Sequence, residues 1–153
     1  MWYWLKNLFR KKQQFTATQD LVTFFQKDVN KIAEWLSNNV WYWSDRTSSD
    51  EWQSATRTLE RMKADCEDFA VLWHDIFRVL EWEANIYCGY PKKGIGHAIC
   101  VAKAPKNWGY VYTSNDSIIQ VNSKSYEEVV KIAMPDMVHY RRTDVLGLTI
   151  GKL

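Results

Sequence analysis

An α+β fold, with N-terminal helices packed on a small antiparallel β-sheet, is what this sequence predicts, on three observations. Apolar residues recur at helical spacing between Leu21 and Leu80. Beyond Glu83 the pattern changes to short runs rich in β-branched and aromatic residues, with turn signals between them. Helices first and strands second favour α+β over an alternating parallel architecture. The 153 residues show no internal repeat, low-complexity tract or linker, so residues 1–153 read as a single domain, long enough to bury a core without staples.

Taken in order, Met1 to Phe9 places Trp2, Leu5 and Phe9 on one helical face and Lys6 and Arg10 towards the other. Residues 1–14 are expected to be an amphipathic segment docked on the protein itself or a partner, since so short a piece makes a poor membrane anchor. Thr16-Ala17-Thr18-Gln19 has the form of a capping box ahead of Leu21, Phe24, Phe25, Val29, Ile32, Trp35 and Leu36, predicting a helix of about five turns to near Asn38. Asn38 to Ser49 reads as a polar and aromatic loop. Ser48-Ser49-Asp50-Glu51 repeats the capping signature, with Trp52, Ala55, Leu59 and Met62 on one face of a second helix. A third helix carries Phe69, Leu72, Trp73, Ile76, Phe77 and Leu80, with Asp65, Cys66, Glu67 and Asp68 in its first turn. Ala84–Tyr90, His97–Lys103, Gly109–Ser114 and Ile118–Val121 then form a β-meander punctuated by Pro-Lys-Lys-Gly, Pro-Lys-Asn and Asn-Asp. Ser125 caps a short helix through Ala133, and Val145–Ile150 reads as a last strand.

Composition excludes several functions. A formal net charge of +2, with both signs interspersed, makes no field suited to nucleic acid. The nine tryptophans lack the interleaved basic residues of a base-stacking surface, and Trp41-Tyr42-Trp43 is followed by Ser44 and Asp45. Cys66, Cys88 and Cys100 are odd in number and show no metal-ligand spacing, which points to a reducing cytoplasm rather than a disulfide framework. No apolar run is long enough to span a membrane, so no stable membrane insertion is expected. No motif asks for a cofactor.

One constellation suggests chemistry. Cys66 opens a helix, where oriented N–H groups favour a thiolate, although Asp65, Glu67 and Asp68 oppose it. His97 begins a strand after Gly94-Ile95-Gly96 and can take the thiol proton, while Asn115, ending the next strand, is placed to orient the imidazole. His74, eight residues beyond Cys66 on one helix, lies ~12 Å further along it, and His139 stands in an unassigned segment. Cys88 and Cys100, within strand patterns, read as small buried hydrophobes. Asp65, Glu67 and Asp68 also raise the question of calcium. The glycine and alternating acids of a calcium loop are missing, so they are better read as acids complementing a helix N-terminus, with no metal.

Trp52 through Leu59, Asp65-Cys66-Glu67-Asp68-Phe69-Ala70, Leu80-Glu81-Trp82-Glu83-Ala84, Gly96-His97-Ala98 and Tyr112-Thr113-Ser114-Asn115 together resemble the transglutaminase-like cysteine peptidase superfamily, particularly its small bacterial and phage members. The resemblance runs from about Glu51 to Val121. It implies a papain-like fold whose nucleophile opens a helix packed on an antiparallel sheet, and acyl transfer from a peptide or isopeptide amide through a thioester. The chain departs at Ala64, where many relatives have glycine, and at Ser114-Asn115-Asp116, which replaces the usual aspartate. Asparagine orients the imidazole in papain-like enzymes, so Asn115 or Asp116 fills that role. The expected site is therefore Cys66, His97 and Asn115, with backbone N–H groups, Trp52 and Gln53 around the oxyanion. A peptide or protein is the expected partner. The competing expectation is a non-catalytic binding module whose contact surface lies around Trp41 and Trp108.

Overall fold

Where the sequence predicts one helix from Thr16 to Asn38, the chain forms two. The computed structural model describes residues 13–44, 51–105 and 108–153; nearly all of the expected N-terminal amphipathic segment lies outside them. Helix α1 (Thr18–Phe24) has Ala17 at its cap with no side-chain hydrogen bond. Thr18 Oγ1 donates to Asp75 Oδ2 (2.5 Å), tying α1 to the helix that begins at Cys66. The break follows at Gln26 and Lys27, both left-handed with φ of 52° and 63°, and Asp28 then caps α2 (Val29–Asn39) by accepting from the Asn30 and Lys31 N–H groups.

The stretch after α2 is not all loop. Trp41–Tyr42 (β1) pairs in parallel with Lys63–Ala64 (β2), bringing the chain just before Cys66 against the end of α2. Between them, α3 (Ala55–Arg61) is capped by Ser54, whose side chain accepts from the Arg57 N–H. The helix thus starts later than Ser48-Ser49-Asp50-Glu51 suggests, a signature that falls largely outside the described residues. Met62, left-handed at φ 54°, ends α3.

Helix α4 (Cys66–Val79) is the centre of the fold. Phe69, Leu72, Trp73, Ile76 and Phe77 are all 1% exposed or less, each stabilising the fold by roughly 1.5–3 kcal/mol through apolar burial. They pack with Cys100, Ala102 and Val111 of the sheet and with Leu21, Ile32 and Leu36 of α1 and α2. Strands β3 (Glu83–Pro91), β4 (His97–Lys103), β5 (Tyr110–Ser114) and β6 (Ser117–Val121) form the expected meander. Helix α5 (Tyr126–Ala133), capped by Ser125, covers the opposite face through Val129 and Val130, against Tyr87, Ile99, Val101 and Tyr110.

Two further strands extend the sheet beyond β3. β7 (Met137–Thr143) pairs antiparallel with β3, and β8 (Thr149–Lys152) pairs with β7, giving the order β6-β5-β4-β3-β7-β8. β7 escapes a pattern search because consecutive Arg141 and Arg142 hide its alternation. The last strand starts later than expected because Asp144 Oδ1 accepts from the Leu146 and Leu148 N–H groups, each at 2.9 Å, folding that stretch into a turn with Gly147 at φ +81°. Among the described residues no helix is long and apolar enough to cross a membrane.

Candidate active site

Cys66 is the first residue of α4, and a reciprocal cap holds it there. Asp65 Oδ1 accepts from the Asp68 N–H (3.1 Å), and Asp68 Oδ2 accepts from the Asp65 N–H (3.3 Å). Asp68 also accepts from the backbone N–H of Gln53 (2.8 Å) and from its side-chain amide. Burial pushes the Asp68 carboxyl upward, against these donors, which pull it down. One carboxylate thus ties the segment before α3 to the start of α4.

Cys66 is 7% exposed, so it is not the surface group that a helix start suggests. Its S–H donates to Glu67 Oε2 (3.2 Å), and the Ala98 N–H faces Sγ closely enough to favour the thiolate. Burial, then the Glu67 and Asp65 charges, raise its pKa well above the ordinary range despite the Ala98 N–H. At rest Cys66 is a neutral thiol, because these effects outweigh the helix N-terminus.

His97 lies one peptide link from that Ala98 N–H, so the start of α4 abuts the strand start that carries the imidazole. No hydrogen bond joins Cys66 and His97 in this state. His97 Nε2 is 3.0 Å from Ser114 Oγ, while Nδ1 has no hydrogen-bond partner among the described residues. Burial lowers the His97 pKa. Asn115 sits just beyond, left-handed at φ 51°; its carbonyl accepts from Trp73 Nε1 (2.9 Å). Its Oδ1 is buried without a partner. Asn115 and Asp116 line a recess of about 280 Å³ with Tyr42, Phe69 and the end of α2. Tyr42 is close enough to the thiol for the Cys66, Asp65 and Glu67 charges to add to the rise that burial gives its pKa.

Trp52 packs against the small cluster of Cys66, Ala70, Val71, Ile86, Cys88 and Ala98, with Gly147 on its other side, where a Cβ would come within 2.7 Å of the indole. Gln53 Oε1 accepts from Arg61 (3.0 Å) while Nε2 bonds Asp68, leaving the side chain one further N–H. The three acids around Cys66 have separate tasks, Asp65 and Asp68 in the cap and Glu67 on the thiol. Among the described residues no three His, Cys, Asp or Glu side chains are grouped as metal ligands. His74 is half-buried further along α4, its pKa lowered chiefly by burial while the neighbouring Asp75 charge pulls the other way. His139 is exposed on β7. Cys88 and Cys100 are buried in their strands at 4% and 0% exposure. Trp41 and Trp108, 71% and 49% exposed, line separate recesses.

Sequence reasoning missed the contact of Ser114 with the imidazole. It also gave Glu67 no role beyond charge. For Ser114 a signal exists: in a ladder with Ile99 opposite Ser114, His97 is its diagonal neighbour on one face.

A family model described as the Transglutaminase-like superfamily matches residues 10–130. Among solved structures, a proposed cysteine protease from Cytophaga hutchinsonii shares the fold with a TM-score of 0.52 at 20% identity. The match covers 87% of this chain and 52% of that one, so the chain spans about half the length of its structural relative. No curated protein matches. The matched span takes in the Cys66 helix, both strands that carry His97 and Ser114, and most of α5: the chain belongs to the transglutaminase-like superfamily.

Proposed function

We propose that the protein is a thiol-dependent hydrolase or acyltransferase acting on peptide or isopeptide amides, with Cys66 as nucleophile and His97 as acid and base. The observation that carries this is the meeting of a helix-opening thiol with the Ala98 N–H, one peptide link from an imidazole whose Nδ1 is unengaged.

In the proposed cycle, the thiol turns from Glu67 towards His97 and loses its proton to the imidazole as Sγ attacks the amide carbonyl. The first N–H of α4, that of Cys66, has no intrahelical acceptor and is available to the developing oxyanion, with Trp52, packed against the Cys66 cluster, and Gln53, bonded to Asp68, as the side chains that would join it. The imidazolium returns the proton to the leaving amine, leaving a thioester. Water or an amine then attacks the thioester carbonyl, His97 takes its proton, and the C–Sγ bond breaks as the imidazolium returns that proton to Sγ. Asn115, the sequence-based choice for the orienting residue, borders this site. The substrate is a peptide or protein, and no nucleic acid or cofactor takes part.

A specific observation favours a second reading, a binding module with a dormant site: the resting thiol bonds Glu67 rather than His97. Alkylation separates the two. Iodoacetamide labelling of Cys66, read by mass spectrometry between pH 6 and 9, is expected to slow markedly in His97→Ala. Equal rates in both proteins would favour the module.

A further inference from the structure

We infer that Ser114 positions the catalytic imidazole: its Oγ accepts the Nε2 proton of His97 and so leaves Nδ1 as the lone pair that takes the thiol proton. The inference rests on the proposed roles of Cys66 and His97, and names the orienting residue for that site.

Three observations carry it. Ser114 Oγ is 3.0 Å from Nε2, and no other side chain among the described residues hydrogen-bonds the ring. The ladder fixes this meeting, since Ile99 is opposite Ser114 and places His97 diagonally across on the same face. Asn115 makes no such contact: its backbone has turned into the left-handed region, its carbonyl is tied to Trp73, and its Oδ1 is buried without a hydrogen bond to the ring.

A neutral imidazole carries one ring proton, so the hydroxyl decides which nitrogen is the base. If Nε2–H donates to Oγ, Nδ1 accepts from sulfur. If Oγ–H donates to Nε2 instead, the ring proton sits on Nδ1 and blocks the thiol.

The full-length protein, labelled with ¹⁵N-histidine, gives the test through the tautomer of His97 by nuclear magnetic resonance, which needs no substrate. The wild type is expected to hold the proton on Nε2 at neutral pH, and Ser114→Ala to show a mixture of tautomers. Ser114→Thr should restore the wild-type pattern, and Asn115→Ala should leave it unchanged. Cys66 alkylation should fall roughly tenfold in Ser114→Ala, the equivalent of about one hydrogen bond, and recover in Ser114→Thr. A wild-type proton on Nδ1, or a tautomer that responds to Asn115→Ala and not to Ser114→Ala, would overturn the inference. An Nε2–H tautomer that depends on Ser114, with alkylation indifferent to His97, would uphold the hydrogen bond and sink the catalytic proposal instead.

Discussion

At Cys66 two contacts oppose one another: the Ala98 N–H favours a thiolate, while the Glu67 carboxylate accepts the thiol proton and repels negative charge. Removing the charge should release the thiol. Glu67→Gln is expected to alkylate faster than the wild type at pH 7.5, and an unchanged rate would mean that burial alone sets the pKa. In the wild type the rate should keep climbing between pH 7 and 9, because the folded thiol titrates above the free value of about 8.5. Cys66→Ala should lose reactivity at this position with a stability loss of about 1 kcal/mol, a common figure for a single substitution, measurable by urea unfolding. That Cys66 opens a helix and His97 a strand was legible in the sequence, because both stand next to marked neighbours. The Ser114 contact was not, because it depends on a strand register, and Pro-Lys-Asn between β4 and β5 marks a break in the chain without setting that register.

Among the elements, the start of α4 carries the most concentrated polar contacts. Asp68→Ala would strand the Asp65 and Gln53 donors in a half-buried place, at a cost of about 1–3 kcal/mol in chemical denaturation; a loss near zero would show that solvent replaces the carboxylate. The approach to β4 is equally tight. A Cβ on Gly96 would lie 2.8 Å from the Gly89 carbonyl and 3.0 Å from the Tyr90 ring, so Gly96→Ala must shift the strand start. It is expected to disturb the His97 resonances far more than those of His139, and equal small changes at both would count against that coupling. The meander and α5 were legible because their alternation and caps are regular. The break between α1 and α2 was not, since the left-handed residues Gln26 and Lys27 are neither glycine nor asparagine, and apolar spacing continues across it.

For the whole molecule, burial lowers the pKa of both His74 and His97. A depressed histidine contributes stability that is complete above its unfolded pKa, about 6.5, and lost as pH falls through its folded value. Unfolding free energy should therefore drop between pH 7.5 and 5.5, and His74→Gln should flatten part of that slope. Asp68, raised by burial, works in the opposite sense from about pH 3.9 upward, so the difference between wild type and His74→Gln isolates the histidine; parallel curves would show that His74 titrates freely. At this scale the layering was legible as helices followed by strands. The extension of the sheet past β3 was hidden by the paired arginines of β7.

The bond from Trp73 to the Asn115 carbonyl joins the middle of α4 to the turn after Ser114, and the indole is fully buried. Its proton can reach deuterium only when helix and turn part, so it keeps time for the separation of the two sides of the cleft. An exchange rate equal to that of global unfolding would mean that the recess stays closed in the folded protein. A faster rate would measure, in a protein with nothing bound, how often the cleft opens by itself.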